Sequence, residues 1–188
     1  MEAFFISTLV VAIGEIGDKT QLLALLLSAR FRRPVPIILG ILCATLLNHA
    51  LAGLVGGWIR DSIGPDTLRW GLGVSFLAIA AWALVPDKVD ETPQPISKYG
   101  AFVVTLVAFF LAEMGDKTQI ATVALAARFD SLVAVVAGTT AGMLIADVPA
   151  VFLADRASTK IPFAAIRYVA AALFAAMGIA ALAGFSFG

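Results

Sequence analysis

Apolar residues run with few interruptions from Ala3 to Ala29, Val35 to Ile59, Thr67 to Val85, Gly100 to Ala127, Leu132 to Leu153 and Pro162 to Phe185. About 20 such residues suffice to cross a bilayer, so the pattern predicts six transmembrane helices joined by short loops. The stops between them are specific. Arg30-Phe31-Arg32-Arg33 precedes Pro34 and Pro36, Gly64-Pro65 makes a turn, and Arg128-Phe129-Asp130 closes the fourth run. The segment Pro86 to Lys98 mixes acidic residues, lysines and prolines and reads as the linker between two halves. Pro149 is expected to kink the fifth helix, and Pro162 suits the first turn of the sixth. The pairs Gly40/Ala44, Gly53/Gly57 and Gly138/Gly142 have the four-residue spacing that lets helix backbones approach closely.

Composition agrees with this reading: 61% of the chain is hydrophobic and 14% charged. That excludes an ordinary soluble core and leaves an all-α, polytopic membrane protein. The 188 residues leave no room for a separate soluble unit, so residues 1–188 are expected to form a single membrane domain. The N-terminus lacks the basic region of a secretory signal and reads as the first permanent span. Formal net charge is zero, which argues against a nucleic-acid partner. Cys43 is alone and reads as a packing residue.

Two polar interruptions break the pattern in mid-span. Glu15-Ile-Gly-Asp-Lys-Thr-Gln21 recurs as Glu113-Met-Gly-Asp-Lys-Thr-Gln119, at an offset of 98 that also relates Gly40 to Gly138, His49 to Asp147 and Arg69 to Arg167. Repeat one is therefore 1–86, the linker 87–99 and repeat two 100–188. Three spans per half is an odd number, so the halves must be inverted, as in many secondary transporters whose site lies at the repeat interface near the midplane. With the N-terminus outside, eight loop lysines and arginines fall inside (Arg30, Arg32, Arg33, Lys88, Lys98, Arg156, Lys160 and Arg167). Three fall outside (Arg60, Arg69 and Arg128). The positive-inside rule then places both termini outside.

A charge at membrane depth costs at least ~2.5 kcal/mol, so a doubled charged motif there signals function. On a continuous helix Glu15, Asp18 and Lys19 would share one face. If Glu15–Lys19 and Glu113–Lys117 were only internal ion pairs, Asp18 and Asp116 would lack cations and would have to protonate. Four carboxylates and two lysines leave a charge of −2, which a divalent cation neutralises. The candidate ligands are the oxygens of Glu15, Asp18, Thr20, Gln21, Glu113, Asp116, Thr118 and Gln119, a hard set suited to Ca²⁺, Mn²⁺ or Mg²⁺. Lys19 and Lys117 are accessory charges. His49 and Asp147 are candidates for a proton relay or a supporting role, and Asn48 for a hydrogen bond between helices. A site that holds either metal or protons is the minimum machinery for exchange.

The doubled E-x-G-D-K-[ST] signature, in two three-span halves, resembles the transmembrane protein 165 family. That family includes bacterial manganese exporters and Golgi cation/proton exchangers. The resemblance covers nearly the whole chain and both motifs match without substitution. It implies a proton-coupled Mn²⁺ or Ca²⁺ transporter rather than an enzyme. Glu15, Asp18, Glu113 and Asp116 are then the cation-binding carboxylates, the metal is cargo rather than cofactor, and the setting is a bacterial inner membrane with export from the cytoplasm. Three other classes stay open on the residues alone. They are a passive divalent-cation channel, disfavoured by the central lysines; an intramembrane enzyme with an acidic Mg²⁺ site, disfavoured by the mid-span depth; and an exporter of a cationic metabolite.

Overall fold

The computed structural model describes residues 1–85, 100–153 and 163–184, with side chains of the last helix from Arg167 onward. The expected 87–99 linker lies outside these residues, as do Lys88, Lys98, Arg156, Lys160 and Pro162. The described chain is all-helical: α1 Glu2–Glu15, α2 Lys19–Phe31, α3 Pro34–Ser62, α4 Pro65–Ala83, α5 Ala101–Glu113, α6 Lys117–Arg128, α7 Leu132–Leu153 and α8 Phe163–Leu182. The first and fourth apolar runs, expected as continuous helices, are each broken at the polar motif, and this corrects the picture of one helix face carrying Glu15, Asp18 and Lys19. α3 and α7 are long and apolar enough to cross a membrane. Pro34 and Pro65 start α3 and α4, where the missing amide proton costs no helical bond. Pro149 lies inside an α7 that stays helical through it.

The distribution of polarity is that of a protein facing lipid. Leu47, Leu51, Leu54 and Trp58 form an exposed stripe along α3, while Thr45, Asn48 and His49 of the same helix are buried. A soluble protein would not expose so continuous an apolar stripe.

Close helix contacts run between the halves, through glycines. A Cβ on Gly40 of α3 would stand 2.9 Å from the carbonyl oxygen of Phe102 in α5, and one on Gly138 of α7 would strike the carbonyl oxygen of Phe4 in α1. Phe102 is Phe4 displaced by 98, as Gly138 is Gly40 displaced by 98. Each half thus grips the other by the same device. Further along, Gly142 meets Thr8 and Ala12, and Gly56 meets Val123 and Ala126, so α7 runs parallel to α1 while α3 runs parallel to α5 and α6. α4 and α8 pack antiparallel on each other, with Gly73 against Leu182 and Gly178 against Leu77.

Candidate metal centre

Each motif folds as a turn between two helices. Asp18 N–H donates to the Glu15 carbonyl at 3.0 Å, and Asp116 N–H to the Glu113 carbonyl at 3.1 Å. Ile16 (φ −62°, ψ 116°) and Gly17 (φ +86°) occupy the centre of the first turn. Met114 (φ −65°, ψ 116°) and Gly115 (φ +78°) occupy the centre of the second. These are type II turns, whose third position needs positive φ and so favours glycine. That is why the motif carries glycine between its two acids. Gln21 Oε1 accepts the Gly17 N–H at 3.0 Å and Gln119 Oε1 the Gly115 N–H at 2.7 Å, so the amide four residues on holds each turn. The other ends of these amides tie the turns to the opposite half. Gln21 Nε2 donates to the Ala146 carbonyl of α7, and Gln119 Nε2 to Asn48 Oδ1 of α3. Asn48 in turn donates to the Phe110 carbonyl of α5, the interhelical role expected of it.

Ending α1 at Glu15 and α5 at Glu113 brings their carboxylates together. Glu15, Glu113 and Asp116, all buried, each offer an oxygen within 4.8 Å of the other two. Oxygens on opposite sides of a Ca²⁺-like cation, each bonded at about 2.4 Å, have about this separation. Thr20 Oγ1 donates to Glu15 Oε2 at 2.6 Å and Thr118 Oγ1 to Glu113 Oε2 at 3.1 Å, leaving Oε1 of both glutamates without a hydrogen bond. The hydroxyls orient the glutamates. Both glutamine oxygens are engaged by the turns.

The lysines do not pair within their own helices. Lys19 Nζ lies 2.8 Å from Asp116 Oδ1, and Lys117 Nζ lies 2.8 Å from Asp18 Oδ1. The internal Glu–Lys pairing that sequence reasoning disfavoured, because it would strand the aspartates, gives way to two ion pairs that cross the repeat interface. The physical reason is the break after Glu15: a lysine beyond the turn starts a new helix and faces the other motif. Among the described residues, His49 and Asp147 are fully buried with no hydrogen-bond partner on either polar atom. Each follows the residue that anchors a motif glutamine. Sequence reasoning counted Arg167 as a loop cation and matched it to Arg69 through the repeat; it lies in α8 and lines a small cavity with Asp18, Lys117 and Ala83.

Residues 3–91 and 101–186 match the profile of the divalent cation/proton antiporter GDT1. The chain belongs to the GDT1 family. This is the same grouping as the transmembrane protein 165 resemblance, and both motifs lie inside the matched residues. Among GDT1 relatives, a Vibrio cholerae protein titled "Putative manganese exporter" is 51% identical over 181 residues, covering 96% of this chain and 90% of its own. A GDT1-like protein of Synechocystis is 27% identical over 85% of this chain and 88% of its own, and GDT1-like protein 4 of Oryza sativa subsp. indica is 27% identical over 92% and 70%. No solved structure matches the chain. GDT1 membership makes this a membrane protein of a cation/proton antiporter family, with a metal handled as cargo.

Proposed function

We propose that this GDT1 protein exports Mn²⁺ from the cytoplasm in exchange for protons, with Ca²⁺ as the second candidate cargo. The observation that carries the proposal is the buried triad Glu15, Glu113 and Asp116, drawn from both halves and gathered where two spans break. All its ligand atoms are hard oxygens, which suits Mn²⁺ or Ca²⁺ rather than softer ions. The Vibrio cholerae relative whose name reads "Putative manganese exporter" supports the choice of manganese. When metal leaves, protons on the same carboxylates replace its charge, and Lys19 and Lys117 keep Asp116 and Asp18 balanced in either condition.

The architecture that serves this is one membrane domain of six spans, arranged as two inverted three-helix halves, 1–86 and 100–188. The swapped glycine contacts support it, and so does the end of α6, where Arg128 and Phe129 share a cavity with Ile6 and Val10 near the start of α1. The two broken spans thus run in opposite directions. The setting is a bacterial inner membrane with both termini outside, in contact with lipid and with no nucleic acid. A passive channel is the second reading. It is disfavoured by two ammonium groups fixed within 2.8 Å of aspartates at the centre of the path.

Uptake of Mn²⁺ into everted vesicles, with and without an imposed pH gradient, tests the proposal. Proton-driven accumulation against a gradient is expected, weakening as the metal-loading side is acidified, because protons compete for the same oxygens. Downhill flux indifferent to the pH gradient would establish the channel instead.

A further inference from the structure

The two halves are alike in sequence but not in how they are covered. α1 and α6 lie towards the N-terminal face, since the end of α6 meets the start of α1. α2 and α5 lie towards the other. α8 packs against α1 and α4 against α6, whereas the pair equivalent to α8–α1, which is α4–α5, makes no comparable contact among the described residues. Exposure follows the packing. Val10 and Ala127 are buried, while their equivalents Ala108 and Ala29 are half-buried and exposed. The Lys117 side chain is 5% exposed and that of its equivalent Lys19 is 28%. Phe174 lies against Gly14 of α1, and Phe76 lines a cavity with Ile6 and Val10 of the same helix.

A perfect two-fold relation would cover both faces equally. Among the described residues the antiparallel α4–α8 pair sits on one face, and Lys19 on the α2–α5 side is the more exposed of the two motif lysines. Because the surfaces on both sides descend from one repeat, the uncovered side presents the same kind of seat. We infer that α4 and α8 move as one arm between two equivalent seats. The first, on α1 and α6, is occupied here and shuts the N-terminal face; the second, on α5 and α2, shuts the opposite face and opens the first. In the second seat Phe76 would lie against Ala112, the position that corresponds to Gly14. Arg69 and Arg167 exchange roles in the same movement. Arg167 now lines the cavity of about 10 Å³ beside Asp18 and Lys117, while Arg69 lines one of about 310 Å³ with Leu72 and Ala127. Rocking of one bundle against another around a fixed site is how inverted repeats give alternating access, so the inference deepens the transport reading and rests on it.

Two cysteine pairs in a Cys43→Ala background test the movement. L72C with A127C spans the occupied α4–α6 seat, and the equivalent A170C with A29C spans the α8–α2 seat. The purified protein in nanodiscs is treated with a short bifunctional methanethiosulfonate, with and without Mn²⁺, and intramolecular cross-linking is read by gel mobility after proteolysis. Both pairs are expected to cross-link, and each link is expected to reduce Mn²⁺ flux in proteoliposomes at least tenfold until reductant restores it. Cross-linking of L72C/A127C alone under every condition, or full flux with that link in place, would overturn the moving arm. If the unlinked parent fails to carry Mn²⁺, the transport reading falls separately, because cross-linking is scored without flux.

Discussion

Breaking the two cross-half ion pairs one at a time gives the sharpest test of the site's geometry. In the Lys117–Asp18 pair the side chains are 5% and 0% exposed, so Lys117→Gln strips a buried carboxylate of an ammonium partner at 2.8 Å. Such a break costs about 3–5 kcal/mol. The Lys19–Asp116 pair has the same length, but its lysine is 28% exposed and solvent can replace part of what is lost. Exposed pairs contribute ~0–1 kcal/mol, and this intermediate case should cost about 2 kcal/mol. The difference of about 2 kcal/mol corresponds to a further fall of about 4–8 °C in the midpoint of thermal unfolding for a chain of this length. The assay is unfolding of the purified, metal-free single and double mutants in detergent, read as double-mutant cycles. Lys117→Gln should couple to Asp18→Asn, and Lys19→Gln to Asp116→Asn, by about 1–3 kcal/mol each. Dominant coupling within a half, Lys19 to Glu15 and Lys117 to Glu113, would refute the crossed pairing. So would equal losses from the two lysine substitutions.

Calorimetry with Mn²⁺ should show one site per chain in the wild type and none of comparable affinity in Glu15→Gln, Glu113→Gln or Asp116→Asn, because each removes an oxygen from a single triad; a half-occupied high-affinity site in any of them would sink the shared centre. Asp18→Asn should reduce Mn²⁺ flux more than Mn²⁺ binding, a split that equal losses would contradict. Gly115→Ala should cost about 1–2 kcal/mol in unfolding, from φ +78° alone, since a Cβ there meets nothing within 4 Å. Gly64→Ala, at φ −64° with equally open surroundings, should be neutral or slightly stabilising, and similar losses at both positions would dismiss the turn argument. Reporter fusions at Gly188 should be active only outside the cytoplasm; cytoplasmic activity would reverse the assigned orientation.

Hydrophobic run length and the offset of 98 between the two motifs were enough to read an all-helical membrane chain, its repeated motif, and carboxylates placed within its spans. These are local and periodic properties, and each residue's polarity declares them. The interhelical role of Asn48 was legible for the same reason: an amide within a span needs a partner. Gly17 and Gly115 carried the signal of the breaks, yet an isolated glycine inside an apolar run is equally compatible with a helix that continues. Only the backbone, with positive φ at both glycines and a turn hydrogen bond from each aspartate, decides that the helices end at Glu15 and Glu113. That decision moves every contact downstream. It lets the threonines hydrogen-bond the glutamates and the glutamines hold the turns, and it sends each lysine across the interface to the other half's aspartate. Such pairings join residues about a hundred positions apart, and they depend on how two antiparallel broken helices meet. The uneven seating of α4 and α8 lies deeper still, because the repeats share the motif but differ around it, as Val10 against Ala108 and Gly14 against Ala112, and the offset does not say which surface is covered. Which surface is covered is decided in the assembled fold, by the packing of α8 on α1 and of α4 on α6.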